Sequence, residues 1–436
     1  MVNFLDRVNL HQVAKILTIA LYPAGILGMS LGAYDVGPFH IFPYRILIPL
    51  IWVLFIFLIF RNRADLNLGS TKVKIFGLFL LVWLVYALLS ISWAIDKYSA
   101  IRHVIFLFLS FSVISFSVIF IRTVDDLYLV LILWTGVLGL TLLVGMIETL
   151  FGYHLPVSRF YQTQKAFYLY TPTGVFYNPN NFATFLSLSA PILLSFLLFS
   201  KKPLSRLGFL LSFFGLLYIV IATRSLAAYL AIFLVVTYFL VLAFTNRRNR
   251  REVIFFIGGF VLLLLVFNHN IVEQFSSVIS SFQSLSDQIV NPTRSVGIRV
   301  NLIRNGFDFL LSTWGFGVGA GNFEAWIQTR AQFPPGNMVN AHNWFLEVLA
   351  NYGIFIFLGY LLFYFGLIYK IVSVLKKHWN DSKMKVMGVA ILGALIGFSF
   401  ASIGPSSMIA FRPQWLMFAL GLAYVGIGHK NDQVSR

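Results

Sequence analysis

Apolar residues run along this chain in blocks of about twenty, broken by short polar stretches. Windows long enough to cross a bilayer as a helix fall at roughly 13–33, 41–60, 75–92, 104–121, 127–149, 180–200, 207–223, 226–244, 253–268, 343–370, 386–404 and 413–428. In lipid every backbone amide must bond internally, so such windows must be helical. The pattern predicts an all-α, polytopic membrane protein with about twelve transmembrane helices. An even count puts both ends of the chain on one side.

One long stretch breaks the rhythm. Between 269 and 342, apolar residues recur at Ile271, Phe275, Val278, Ile279, Phe282, Leu285 and Ile289, with Ser and Gln between them. That spacing predicts an amphipathic helix on the membrane surface over about 271–290. A second helix is expected over about 296–311, followed by a loop with Gly315, Gly317, Gly319 and Gly321 that can bring backbone close to a partner. The expected organisation is therefore transmembrane helices 1–9 within 1–268, an extracytoplasmic loop domain over 269–342, and helices 10–12 within 343–436.

Composition agrees with a lipid solvent: 59% of the 436 residues are hydrophobic and only 11% charged, too few to cover a soluble surface. The formal net charge is +17, but much of the excess sits in short runs between apolar blocks, so it marks topology and not nucleic-acid binding. Sixteen Lys and Arg, from Arg61 and Arg63 through Arg247–Arg251 to Lys383 and Lys385, fall in one set of loops. Six (Lys97, Arg102, Arg159, Lys165, Arg224 and Arg412) fall in or beside the other. This positive-inside bias predicts cytoplasmic termini, an outward-facing 269–342 segment and a multi-pass protein of the cytoplasmic membrane. The first apolar stretch lacks a small-residue cleavage site and reads as a retained span.

The chemistry is expected at the outer surface. Arg45, Glu148, Arg224 and Glu347, the exceptions in nearly charge-free spans, cluster near outer ends. A transporter would place ionisable groups at the bilayer midplane. Cysteine is absent, the outward acids form no Asp-x-Asp pair, and no two histidines have His-x-x-x-His spacing, so no metal or other cofactor is expected.

The most informative stretch is Val339–Glu347. His342 stands where the outer segment enters a span, with Asn343 placed to cap the helix. An imidazole there titrates near neutrality and can take a proton from a hydroxyl, or it can be an interfacial histidine with a structural hydrogen bond. Glu347, one to two turns further in, can orient His342, bind an arginine or complement the helix terminus. Arg224 and Arg299 can clamp a diphosphate, because guanidinium binds phosphate bidentately and keeps its charge. The plainer readings are snorkelling for Arg224 and a solvated helix face for Arg299. Arg304 and Arg330 are lesser cationic candidates. Asn178 and Asn180, in a Gly-x-Phe-x-Asn-Pro-Asn turn, can hydrogen-bond sugar or phosphate or simply make the turn.

Taken in order, these segments resemble the bacterial O-antigen ligase and O-antigen polymerase superfamily. The carrying motifs are Ser90 to Asp96, Gly174 to Asn180, Thr223-Arg224, Gly297-Ile298-Arg299, Gly317 to Phe323, and His342 to Glu347. Thr223 stands where Ser is usual, and Tyr170-Thr171-Pro172-Thr173 lacks the basic residue often found before the Gly-x-Phe turn. The resemblance implies a GT-C-like membrane glycosyltransferase. Its donor would be an undecaprenyl-diphosphate-linked glycan, its acceptor a glycan or lipid, and its reaction free of metal and cofactor. His342 would act as base or acceptor-positioning group, and Arg224 and Arg299 would hold the diphosphate. The rival expectations are a lipid-linked oligosaccharide flippase or polysaccharide exporter, and a protein O-oligosaccharyltransferase.

Overall fold

The structure, a computed structural model, describes residues 9–36, 39–61, 71–245 and 295–434, with four helical positions between 276 and 283 besides. Apart from those four, the expected ninth span at 253–268 and the surface helix at 271–290 lie outside the described residues. In chain order the helices are α1 Leu10–Leu27, α2 Pro43–Phe60, α3 Thr71–Ser90, α4 Lys97–Phe120, α5 Val124–Phe151, the single turn α6 Ala166–Leu169, α7 Pro179–Phe199, α8 Pro203–Ala222 and α9 Leu226–Thr245. Then follow α10 Ser295–Ser312, α11 Phe323–Arg330, α12 Trp344–Lys377, α13 Ser382–Ala401 and α14 Arg412–Val434. Among the described residues, ten of these (α1–α5, α7–α9, α12 and α13) are long and apolar enough to cross a membrane. The chain is thus an all-α, polytopic membrane protein. The window at 413–428 falls in α14, which is less apolar, and its residues from Trp415 to Val425 are all buried.

One element went unforeseen. Tyr34–Val36 and Phe39–Ile41 (β1 and β2) pair antiparallel between α1 and α2, with Asp35 opposite His40 and their side chains joined.

Helix starts follow local chemistry. Asp96, Thr123, Asn178, Asn343 and Asp381 each cap a helix by accepting from backbone N–H groups one turn in. Pro43, Pro179 and Pro203 open α2, α7 and α8, where a missing N–H costs nothing. In lipid the hydrophobic effect does not drive helix against helix, so close packing must. Accordingly α13 presents Gly388, Gly393 and Gly397 where added Cβ atoms would come within 3 Å of Tyr424, Pro191 and Val235. That small-residue face lets α7, α9 and α14 close on α13, and α7 and α13 are the most enclosed spans. Below the start of α12, Trp83, Trp344 and Trp415 form a triangle with ring centroids 5.8–6.2 Å apart, joining α3, α12 and α14.

The Gly315–Gly321 loop finds its partner inside the bundle. Helix α12 breaks at Gly353, where φ is 77° and ψ −179°. Val318 and Gly319 donate to the carbonyls of Ala350 and Asn351 at 2.9 and 3.0 Å, and Ile354 N–H donates to Gly315. Bonds lost at the helix break are thereby replaced by bonds to the loop. On its other side the loop docks on the Ser90–Asp96 turn. Ala320 N–H donates to Ser90 Oγ and Trp93 Nε1 to Gly317, while buried Asn322 brackets Asp96, accepting from its N–H at 2.7 Å and donating to its carbonyl at 3.0 Å. Two motifs noted in the sequence are therefore one clamp.

At Gly353 an added Cβ would stand 2.3 Å from the Gly315 oxygen, on a backbone that L-residues rarely adopt. Gly353→Ala is expected to cost about 1–3 kcal/mol in backbone strain alone. It should lower the midpoint of thermal unfolding in detergent by several degrees. Gly136→Ala, with nothing within 4 Å, should leave the midpoint unchanged.

Candidate functional site

The site is built around the turn that leaves α13. His342 precedes the Asn343 cap and holds a left-handed φ of 46°. Its N–H donates to the Ser406 carbonyl at 3.2 Å, and its Nδ1 donates to the Gly404 carbonyl at 3.4 Å. Trp344 N–H donates to Ser402 at 3.1 Å. Three consecutive residues at the mouth of α12 therefore read the Ser402–Ser406 backbone or cap the helix. A histidine whose Nδ1 is so engaged presents Nε2 as its basic nitrogen.

Glu347 explains why that turn is fixed. It is buried (4% exposed), and its two oxygens accept from Ser407 Oγ at 2.6 Å and Met408 N–H at 2.7 Å. Both oxygens are thus taken up by the loop, and the carboxylate acts on His342 through that loop and not by touching it. Nothing in the sequence singled out Ser402–Phe411 as part of a site. The available signal was the Gly-Pro-Ser-Ser break at 404–407 between two apolar windows, an ordinary helix connection by its composition.

Two further elements converge on the same turn. Gly404 packs against Ser225 and Ala227, where an added Cβ would stand 3.4 Å from each. Arg224 immediately precedes them, exposed, in the tight α8–α9 turn at φ 58°. Thr184, in the second turn of α7, donates to Ala401 at 3.0 Å, which brings the start of α7 against the end of α13. Asn178 caps α7 by accepting from Asn181 N–H, and the Asn181 side-chain oxygen is buried without a partner. Asn180 is half-buried beside them. This corner is tied down by Glu148, whose fully buried carboxylate accepts from Thr173 N–H and Oγ1, Gly174 N–H and His154 Nδ1 at 2.6–3.0 Å.

Arg299 lies on α10, the helix expected at about 296–311, near enough for its charge to act on His342. Ile298, Leu302, Ala341, Leu346 and Ala350 share one buried cluster, and Gly306 lies against Leu346. This packing fixes α10 beside the first turns of α12. Arg299 is not on a solvated helix face: its Nε is buried without an acceptor, and burial lowers the guanidinium below its ordinary pKa. Among the described residues no carboxylate pairs with it. His342 is also held below the usual histidine value, first by burial and then by the Arg299 charge, the Gly404 bond opposing them.

The remaining candidates have other employment. Asn343 Oδ1 accepts from Phe345 and Leu346 N–H as helix cap. Arg304 is exposed and stacks on Phe333, its Cζ 3.7 Å from the ring centre, and Arg330 stacks on Trp326. Beneath them buried Asn305 accepts from Gln332 and Phe333 N–H and donates to the Phe333 carbonyl, strapping the loop that leads to His342. That role left no mark in the sequence.

Only four described non-glycine residues have a left-handed φ, and two of them are Arg224 and His342. Backbone held in so sparsely populated a region marks functional positions more often than chance. The fold and this corner define a polytopic membrane protein with a basic, histidine-containing site at one end of its bundle. The O-Antigen ligase family matches residues 210–361, which include Arg224, Arg299, His342 and Glu347. Teichuronic acid biosynthesis protein TuaE of Bacillus subtilis (strain 168) is 30% identical over 405 residues, covering 92% of this chain and 82% of the relative. The chain belongs to the O-antigen ligase and polymerase family.

The depressed His342 value has a testable sign. Neutral imidazole should persist below about pH 6.5, where an ordinary histidine is half protonated. Carbethoxylation of His342 by diethyl pyrocarbonate, followed by mass spectrometry against pH, should show its acid midpoint below 6.5. Arg299→Gln removes a charge that pushes the value down, so its midpoint should move to higher pH. A midpoint unchanged by that substitution would contradict the proximity of the two groups.

Proposed function

We propose that this protein, a membrane glycan-transfer protein of the ligase and polymerase type, transfers a glycan from an undecaprenyl-diphosphate-linked donor to an acceptor hydroxyl at the outer face of the cytoplasmic membrane. The observation that carries the reading is half-buried Arg299, whose enclosed Nε meets no acceptor and whose charge acts on His342, the residue bonded to the turn that receives the Arg224 corner. A half-buried guanidinium with an enclosed, unmet N–H and no acid partner among the described residues favours an anionic ligand, since an unmet charged donor is costly in low dielectric.

In this mechanism Arg299 and Arg224 bind the donor diphosphate and set the anomeric carbon above His342 Nε2. The acceptor hydroxyl gives its proton to Nε2 as its oxygen bonds to the anomeric carbon. The bond from that carbon to the diphosphate breaks, and the departing negative charge is met by the two guanidiniums, which are needed more in the transition state than before it. The depressed histidine value suits a base that must be neutral at working pH. The arginines supply what a divalent metal would otherwise supply, so the reaction is read as metal-independent. Glu347 and Asn305 act as positioning residues. The name of the Bacillus relative refers to teichuronic acid biosynthesis, which favours a lipid-linked glycan over a lipid core as acceptor.

Because His342 and Arg224 have left-handed backbones, asparagine is the suitable replacement: it removes the functional group while tolerating φ above zero. Reconstituted with a lipid-diphosphate glycan and acceptor, His342→Asn should lose about 10²–10⁴-fold in turnover. Arg224→Asn should lose about 10²–10³-fold. Both should leave insertion intact, and EDTA should leave wild-type turnover unchanged. Full turnover by both variants would overturn the mechanism, and donor flipping without transfer would indicate a flippase.

A further inference from the structure

A second basic cavity opens at the same end of the bundle, built mostly from α2, α4 and α14 and sharing only the Ser402–Phe411 loop with the His342 corner. It has a volume of about 30 Å³, opens to the surface, and is lined by Phe42, Tyr44 and Arg45 at the start of α2, Phe106 on α4, Ile409, and Arg412 at the start of α14. The two guanidiniums share one aromatic ring, with Arg45 Cζ 5.1 Å and Arg412 Cζ 4.9 Å from the centre of Phe42. Arg45 donates to the His40 carbonyl at 2.8 Å and Arg412 Nε to Gly25 at 2.8 Å, which orients both and leaves further N–H groups on each. Among the described residues neither has a carboxylate partner. Tyr44, a residue of this wall, is 2% exposed, and its buried hydroxyl has no hydrogen-bond partner.

Two like charges beside one ring, with an unmet phenol between apolar walls, make an arrangement that an anion completes. Guanidinium pairs and a hydroxyl suit the several oxygens of a phosphate. Phe42, Phe106 and Ile409 suit a hydrocarbon chain attached to it. The cavity is also coupled to the first site. Ser402–Phe411 gives its Gly404 and Ser406 carbonyls to His342, gives Ser407 and Met408 to Glu347, and then gives Ile409 to the cavity wall. Three to five residues separate the two faces of that loop, a span of at most about 18 Å.

Resting on the proposed transferase reading, we propose that the Arg45–Arg412 cavity binds the phosphate of the acceptor lipid, placing the acceptor sugar within reach of His342. Transfer between two lipid-linked glycans requires two phosphate sites, and Arg224 with Arg299 supplies only the donor's.

The test is native mass spectrometry of the full-length protein in detergent with farnesyl phosphate as probe, which needs no turnover. Wild type should take up two equivalents, Arg45→Gln one, Arg224→Asn one, and the double variant none, while farnesol, lacking the phosphate, should not bind. Tyr44→Phe keeps the ring packing and should weaken one equivalent severalfold without touching the other. In the transfer assay Arg45→Gln should raise KM for the lipid-linked acceptor about tenfold, with donor KM and kcat unchanged. Two undiminished equivalents in Arg45→Gln and Tyr44→Phe would overturn the site. Equal displacement by phosphatidylglycerol would overturn its assignment to the acceptor and make it a general headgroup site. Loss of the transferase reading alone would leave the two-equivalent count standing.

Discussion

A carboxylate buried inside a membrane bundle must be satisfied, and the way Glu347 is satisfied sets the geometry of this end of the protein. Its oxygens accept from Ser407 Oγ and Met408 N–H, residues 60 and 61 positions away. The cost of leaving such a group or its donors unmet, about 1–3 kcal/mol for each neutral donor and more for the charge, makes the loop a fixed part of the bundle. From that loop come the carbonyls that seat His342, the glycine on which the Arg224 corner rests, and one wall of the Arg45–Arg412 cavity. Glu148 does the same work one corner away, where it gathers Thr173, Gly174 and His154 beneath the start of α7.

Packing in lipid turns these polar ties into a rigid frame. Helix α13 carries glycines where α7, α9 and α14 press closest, so the turn leaving it is held from three sides. The break in α12 at Gly353 admits the Gly315–Gly321 backbone, and that loop in turn grips the Ser90–Asp96 turn. Arg299 is held through the same frame: α10 lies on the first turns of α12 through Leu302 and Leu346, and the α10 asparagines strap the approach to His342. Two of the site's side chains are presented from left-handed backbone, which the frame must hold against its tendency to relax.

Much of this was readable beforehand because it depends on local properties. Apolar blocks of about twenty residues place the spans, since bilayer thickness admits little else. Helical spacing placed α10, and Asn343 before an apolar run announced a cap. His342 and Arg224 stood out as polar groups where the chain turns at span ends, and Arg299 as a cation on the expected outer helix. What could not be read depends on contacts between distant residues. Gly-Pro-Ser-Ser at 404–407 looks like any connection until Glu347 is seen to bind it. The glycines at 315–321 suggested a loop that brings backbone close to a partner, but not which one: their missing side chains make room for Gly353, Ala94 and His103. Asn305 and Asn322 are buried straps whose partners lie in other segments, and the paired strands Tyr34–Val36 and Phe39–Ile41 are too short to leave a period in the sequence.

The central claim is that the Glu347-anchored loop seats His342 against a donor diphosphate held by Arg224 and Arg299. A cryo-electron microscopy structure of the full-length protein with a non-transferable lipid-diphosphate glycan tests it most directly. The account predicts diphosphate oxygens within hydrogen-bond distance of both guanidiniums and the anomeric carbon facing His342 Nε2, with the Ser407 and Met408 bonds to Glu347 intact. A diphosphate bound elsewhere, with His342 turned away from the sugar, would contradict it.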